Sequence, residues 1–411
     1  MHYPRVSLYA LMLAATGIPL YIHLPQFASV NLGISLGTIG TVLLVIRLVD
    51  LIQDPLIGWA VDRWPGAQSA FAMTAAAGLA LGFPLLFFLT KGPHVVASLI
   101  AVLLLLFFAY SLGSILLYGR SATLALRPEP DALLTLAAYR EGGTLTGVIL
   151  AAIAPSVLTG WGAGGGGYPA FGLALGSLAV ATAVLTLPAW QRTPVLGTAL
   201  SLTGLSQAGA LRILALALVN NLPVAITSTL FLFFVEDRLR LPGMAGPLLT
   251  LFFLSAGLSI PLWTRVSRAI GAKRTLLISM PLAIAGFAGA TFLGPGDATA
   301  FAAICVAAGA ALGADTILLP AMFSVALTEA GLKASLAFGI WAFAGKLSLA
   351  LAAFLVMPLL QWNGFAPGQA NSAQALRTLT IAYAVIPCVL KLGALALVTT
   401  LPARNTPGGQ S

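Results

Sequence analysis

The sequence predicts an all-α membrane protein with twelve transmembrane helices in two pseudo-symmetric six-helix bundles. Three observations predict it. The 411 residues are 59% hydrophobic and 8% charged, with a mean hydropathy of +1.00, a composition far from that of a water-soluble domain. Apolar runs of roughly 20 residues, each long enough to cross about 30 Å of hydrocarbon, recur along the whole chain. The two halves also echo one another at a near-constant offset.

In order, the spans fall near 7–29, 35–61, 70–90, 95–118, 135–158 and 169–188, then near 209–234, 243–264, 275–294, 298–323, 334–360 and 374–400. The first run starts by residue 7 and has no clear small-residue cleavage site, so it reads as a spanning helix and not a removed signal. Glycine and proline within these runs are ordinary in membrane helices, where neighbouring groups satisfy a freed backbone position. The bundles are expected at 1–188 and 209–400, joined by a cytoplasmic linker at 189–208 and followed by a cytoplasmic tail at 401–411. The run GAGGGG at 162–167 lacks the Lys-Ser/Thr of a phosphate cradle and reads as an outer loop. Cys305 and Cys388 sit in apolar runs, as small core residues do.

The formal charge of +9 forms no compact stripe with interleaved aromatics, which argues against nucleic acid. It fits loop charge instead. Twelve basic residues from Arg5 to Arg404 fall on one side of the predicted spans, against Lys91, Arg238, Arg240 and Arg377 on the other. The positive-inside bias then puts both termini in the cytoplasm, in agreement with an even number of spans.

The informative residues are the charges inside spans. A charge in hydrocarbon costs from about 2.5 to well over 10 kcal/mol, so it faces a partner or a watery cavity. Arg47, Asp50 and Asp54, in RLVDLIQDPLIGWAVDR, share one helical stripe. Two carboxylates one turn apart repel, and they relieve this by holding a cation or sharing a proton. The bland alternative is a structural ion-pair network with Arg47 and Lys346. Lys346 lies deep in the eleventh span and needs a carboxylate or a lowered pKa; pairing with Asp54 or Asp50 is the simplest solution. Arg140 extends, through Gly143 and Gly147, a stripe of small residues suited to close packing, with Glu141 as its ion-pair or gating neighbour. Its guanidinium either snorkels to headgroups or reaches inward to an anionic or polyhydroxy substrate. Asp315, in the tenth span, is either a second coupling site or a local partner of a hydroxyl or of Lys346. Lys391 reads as a cytoplasmic-side anchor. Asn220, Asn221 and Tyr110 are candidates for substrate contact. Of the histidines, only His23 lies in a span; His2 and His94 read as exposed. No metal-ligand cluster or nucleophile motif is present, so enzyme chemistry has no visible apparatus.

The repeat is read from paired positions. Gly17-Ile18-Pro19 matches Asn221-Leu222-Pro223, and Asp62-Arg63 with Gly66 matches Ser267-Arg268 with Gly271. Gly143 matches Gly345, and Ala154-Pro155 matches Met357-Pro358. Six spans, a linker and six related spans is the repeat logic of secondary transporters.

With these residues in place, the chain resembles the major facilitator superfamily and, within it, a divergent member of the glycoside–pentoside–hexuronide:cation symporters of melibiose-permease type. The stretch Gly33 to Arg63 is similar to that family's second helix and following loop, Tyr139-Arg140-Glu141 to its fifth-helix signal, and Gly345-Lys346 to its buried lysine. The resemblance implies that Asp50 and Asp54 form the coupling-cation site, a place for Na+ and otherwise the only metal site. It also implies that Lys346 faces them and that Arg140 lines a central cavity. Asp62 and Arg63 belong to a degraded loop 2–3 motif, and Lys273-Arg274 to its counterpart in loop 8–9. Arg47, Asp62, Arg63, Glu141 and Asp315 are the gating and ion-pair set. The chain departs from the family in having no acid on the first or fourth span, Ala14 at the first-helix sugar position, and Gln53 for a sodium-binding Asn.

The reading that follows is a monomeric carrier in a bacterial inner membrane. It would couple H+ or Na+ to symport of a small polar solute, sugar or glycoside-like, by alternating access, with no cofactor beyond the coupling ion. A lysolipid or other amphipathic cargo, proton-coupled export of drugs or metabolites, and a non-transporting scaffold or sensor are the alternatives.

Overall fold

The computed structural model describes residues 3–18, 20, 23–24, 27–125, 129–162, 164, 167–193, 197–366 and 369–401, without the side chains of 18, 36, 37, 40, 47, 152, 156 and 353. The tail expected at 401–411 lies outside the described residues except for Leu401. Twelve helical segments follow in order: α1 Tyr3–Ile18, α2 Leu36–Arg63, α3 Gln68–Phe87, α4 Val95–Gly119, α5 Pro130–Gly160 and α6 Tyr168–Trp190. Then come α7 Ala210–Phe233, α8 Ala245–Ile270, α9 Ala272–Gly289, α10 Ala298–Glu329, α11 Ser335–Trp362 and α12, the segment Ala373–Thr400. Among the described residues, nine helices are long and apolar enough to cross a membrane by length and composition alone. The other three are α1, described over 16 residues, and α2 and α5, some of whose side chains lie outside the described residues.

Local chemistry sets the helix ends. Ser35 and Ser372 open α2 and α12 by accepting from the amides of Thr38 and Ala375. Helix α5 starts earlier than the hydropathy suggests, because Pro130 and Asp131 suit the first turn by fixed φ and by charge.

The chain divides into two compact units, Met1–Leu200 with Leu327–Phe343, and Ser201–Ala326 with Ala344–Ser411. The first part of α11 therefore groups with the N-terminal helices. In the first unit α1 packs on α5 and α6, α2 on α4, and α3 on α4 and α6. Helix α5 reaches the backbone of α1 through glycines: a Cβ on Gly143 would lie 2.0 Å from the Ser7 carbonyl oxygen, and one on Gly147 would lie 2.3 Å from that of Leu11. The start of α11 meets α2 in the same way, with Gly339 against the Asp54 carbonyl and Gly58 against that of Ser335. Around the linker, Thr198 forms a parallel bridge to Leu332, its amide donating to the Gly331 carbonyl at 2.7 Å.

In the second unit α12 packs on α7 and α9, and α8 on α9. Gly309 and Gly313 bring α10 onto the Phe252 and Ala256 carbonyls of α8. Helices α7 and α12 carry π-turns at Phe234–Arg238 and Ile381–Val385, and the Phe234 ring stacks on Tyr383 at 4.1 Å. A π-turn also occupies Phe27–Asn31, past α1, at the place in the first half that corresponds to the end of α7.

The α1–α5 contact yields a paired expectation. Gly143→Ala forces the two backbones apart and lowers stability by about 1–3 kcal/mol. Gly142→Ala, with nothing within 4 Å of its Cβ, is neutral or slightly stabilising. Thermal unfolding of the two purified variants checks this, and equal melting temperatures would contradict the contact.

Candidate functional site

Helix α2 is built inside out for a water-soluble helix but correctly for a membrane. Ile52, Leu56 and Trp59 are exposed, whereas Asp50 and Asp54 are 1% and 0% exposed on the opposite stripe with Ile57 and Val61. Asp50 accepts a hydrogen bond from Gln53 Nε2 at 2.6 Å. Gln53 stands where the resemblance expects a sodium-binding Asn, and it spends its amide on the carboxylate. The side chain of Arg47 lies outside the described residues.

At the end of α2, Asp62 is buried and caps α11. Its Oδ1 accepts from the Ser335 amide at 3.2 Å and Oδ2 from the Leu336 amide at 2.8 Å. Lys333 Nζ donates to the Asp62 carbonyl at 2.9 Å, and Arg120 Nη2 to that of Val61 at 2.5 Å. Burial lowers the Arg120 pKa and the Asp62 charge opposes that shift, so the guanidinium keeps its charge beside the cap. Arg63 is exposed.

Helix α5 places Arg140, 2% exposed, beside its neighbour Glu141: Nε donates to Oε1 at 3.0 Å. Tyr118 of α4 closes the cluster, its hydroxyl donating to the same Oε1 at 3.0 Å while the guanidinium carbon lies 3.8 Å from its ring centroid. Arg140 Nη2 is buried and has no hydrogen-bond partner among the described residues. A forked donor with one prong unused is suited to a carboxylate or hydroxyl acceptor. Tyr110, two turns before Tyr118, is half-buried with its ring on Gly17 of α1. His23 is buried, its Nε2 3.1 Å from the Ala151 carbonyl, with Tyr168 and Phe171 edge-on to its ring.

In the second unit Lys346 is half-buried on α11, next to Gly345, which faces Asn221 of α7. Among the described residues the partner of Asp315 is neither of the two its sequence suggests, a hydroxyl or Lys346. It pairs with Lys391 of α12, and Asn220 of α7 completes the group: Lys391 Nζ donates to Asp315 Oδ2 and, at 2.6 Å, to Asn220 Oδ1. Asn220 Nδ2 donates to Asp315 Oδ2 at 3.0 Å. Lys391 is thus not the cytoplasmic-side anchor expected. It is 3% exposed and nine residues short of the helix end at Thr400, too deep for its stem to reach a headgroup. Three residues from α7, α10 and α12 meet that the sequence shows only as unrelated polar positions. Lys273 and Arg212 instead cap α12, donating to the carbonyls of Thr399 and Leu401 and of Thr400. Among the described residues no group of three or more His, Cys, Asp or Glu is placed to hold a metal ion.

Buried carboxylates, a buried guanidinium and a buried ammonium in an apolar multi-helix chain define a multi-pass membrane transporter. Residues 6–404 match the MFS/sugar transport protein family, and the chain belongs to it. The resemblance read from Arg47–Arg63, Arg140 and Lys346 thus leads to the right superfamily and fold. Among solved structures the chain is similar to a bacterial homologue of the iron transporter ferroportin in its outward-facing state, with a TM-score of 0.70 at 14% identity over 96% of this chain and 100% of that one. A second structure of that homologue, with soaked iron, gives 0.70 at 14% identity over 98% and 100%. The human organic anion transporter MFSD10 (TETRAN) gives 0.64 at 15% identity over 97% and 98%. These likenesses speak to the fold. No curated protein matches the chain in sequence.

The Asp62 cap gives a direct expectation. Asp62→Ala removes two acceptors from the first turn of α11 and costs about 1–2 kcal/mol locally. Amide exchange at Ser335 and Leu336 then speeds up by roughly tenfold, with Asp62→Asn intermediate. Unchanged exchange in Asp62→Ala would show that the cap holds nothing.

Proposed function

We propose that the protein is a secondary active transporter that couples H+ or Na+ to the symport of a small polar solute, sugar or glycoside-like, by alternating access. The observation that carries this reading is the pair Asp50 and Asp54, one turn apart and 1% and 0% exposed on α2. Two such carboxylates favour taking up a cation, and its arrival changes the net charge of a buried site by one unit. Such a change is the differential interaction a ligand needs to shift a conformational equilibrium. Lys346 is the proposed cationic counterpart, whose attraction to the pair weakens when the coupling ion binds. Arg140, with its unused Nη2, and Asn221, beside Gly345, are the proposed substrate contacts. Membership of the MFS/sugar transport protein family supports the sugar class. The lack of any acid on α1 and α4, with Ala14 buried at the first-helix position, favours a second reading in which the cargo is a lysolipid or other amphipath.

A thermal-shift screen of the purified protein against a methyl glycoside, a pentose, a hexuronate and a lysolipid, each with sodium or choline, identifies the cargo class, because a specific ligand stabilises the folded state by mass action. In proteoliposomes Asp54→Asn and Lys346→Ala are expected to abolish gradient-driven accumulation of the stabilising solute while the folded protein stays in the membrane. Full accumulation by both variants would refute the coupling assignment.

A further inference from the structure

The Asn220–Asp315–Lys391 cluster uses none of the side chains of Asp50, Asp54 or Lys346, and its construction is unusual for a mere tie between helices. Its ionised pair is neutral as a unit: one ammonium, one carboxylate, and a carboxamide that accepts from the ammonium and donates to the carboxylate. All three side chains are 5% exposed or less. Yet the pairing uses only Oδ2 of Asp315; Oδ1 is buried and has no hydrogen-bond partner among the described residues. A buried carboxylate oxygen left without a donor carries a desolvation cost of about 1–3 kcal/mol or more. Protonating that oxygen removes the cost but leaves the Lys391 ammonium uncompensated, unless an anion arrives with the proton. Nearby backbone is not tightly clamped: a Cβ on Gly345 would meet Asn221 at 3.7 Å and one on Gly393 would meet Val219 at 4.0 Å, ordinary contact distances without a clash.

Most other charges on the helices of this unit lie near helix ends. Helix α7 has none between Arg212 and Glu236, and α10 has Cys305 and, at its end, Glu329. Helices α8 and α9 keep Arg265, Arg268, Lys273 and Arg274 near their ends. On α12 the thiol of Cys388 is engaged with the Ile284 carbonyl of α9, Tyr383 stacks on Phe234, and Arg377 lies in the first turns. Helix α11 contributes Lys346, next to Gly345.

We propose that Asn220, Asp315 and Lys391 form a proton-linked anion site, which takes a carboxylate-bearing solute such as a sugar acid together with one proton. In the empty state Asp315 serves as the built-in anion for Lys391. On loading, a proton from solution forms an O–H bond on Asp315, the ammonium keeps its three hydrogens, and its ion pair passes from Asp315 to the incoming carboxylate. Asn220 donates to the newcomer. One positive and one negative charge enter together, so the buried site stays neutral throughout. This rests on the transporter reading and narrows its substrate class: the Asp50/Asp54 pair carries the driving ion, and this cluster balances the charge of the cargo.

The linkage fixes the sign. Because one proton enters with each anion, anion affinity rises by about tenfold for each unit of pH fall. The test is thermal protection and equilibrium binding by glucuronate, lactate and acetate as choline salts, between pH 5.5 and 7.5, on the purified full chain. Wild type is expected to bind glucuronate with that slope. Asp315→Asn, a permanent stand-in for the protonated acid, should bind it at every pH with a slope near zero, and Lys391→Met should lose binding by at least tenfold. Asp315→Asn/Lys391→Met leaves no buried charge behind; it should fold and bind none of the three anions. Retention of the wild-type slope in Asp315→Asn, binding by the double variant, or no protection of wild type by any of the three anions overturns the proposal. Asp54→Asn separates the two readings, since it should lose accumulation yet keep the pH-linked binding.

Discussion

An ionised group cannot lie in hydrocarbon without a counter-charge, a hydrogen-bond donor or water, and this constraint organises the molecule. Each compact unit satisfies it by turning its polar side chains inward and its large aliphatic ones outward. On α2 the exposed Ile52, Leu56 and Trp59 and the buried Asp50 and Asp54 are two faces of one cylinder. On α5 the Arg140 charge is met two ways within a few ångströms, by Glu141 and by the Tyr118 ring, while the Tyr118 hydroxyl donates to Glu141. In the second unit α7, α10 and α12 each give one polar side chain to a common knot. The apolar exterior and the charged interior are therefore one solution, since neither is stable without the other.

Helix ends extend the same logic to the surface. The sequence reads its basic excess as a topology signal, and the structure gives several of these residues a second task. Arg192 donates to three successive carbonyls at Thr123, Leu124 and Ala125, which end a short helix after α4. Lys273 and Arg212 do the same for α12, and Asp62 serves the opposite pole at the start of α11. Basic groups that the sequence reads as topology signals thus also close hydrogen-bonding positions that no intrahelical partner can fill.

Hydrophobic periodicity carries most of the fold. The runs of about 20 apolar residues mark the helices to within a few positions, and the proline and aspartate that begin α5 explain the largest early start. Arg140 and Glu141, adjacent in sequence, form a pair that adjacency makes readable. The Asp315–Lys391 pair was not readable, because its members are 76 residues apart on helices whose mutual rotation no local pattern encodes. Lys391 misleads for a related reason. Near a helix terminus a lysine snorkels, and only the full length of α12 shows that this one is too far from the end to do so. The part of α11 that groups with the N-terminal helices also escapes a reading in halves: contact there follows from Gly58 and Gly339 on partner helices, and single glycines in apolar runs are too common to stand out.

The two halves keep their backbone devices and part in their charges, and the difference has a physical cause. Pro19 and Pro223 match in the sequence, π-turns occur at Phe27–Asn31 and Phe234–Arg238, and each half has helices brought together by glycines, α5 onto α1 and α10 onto α8. Every bundle in a membrane must solve close packing and backbone satisfaction, so both copies of a duplicated unit remain under that demand. Interior charge is a cost that only a task justifies. One half places paired acids on its second helix and a guanidinium on its fifth, while the other assembles a neutral knot from its first, fourth and sixth helices. An interior charge required merely for folding would recur at the same repeat position in both halves. Its appearance at different positions in each accords with the proposal that coupling and cargo binding are divided between the halves.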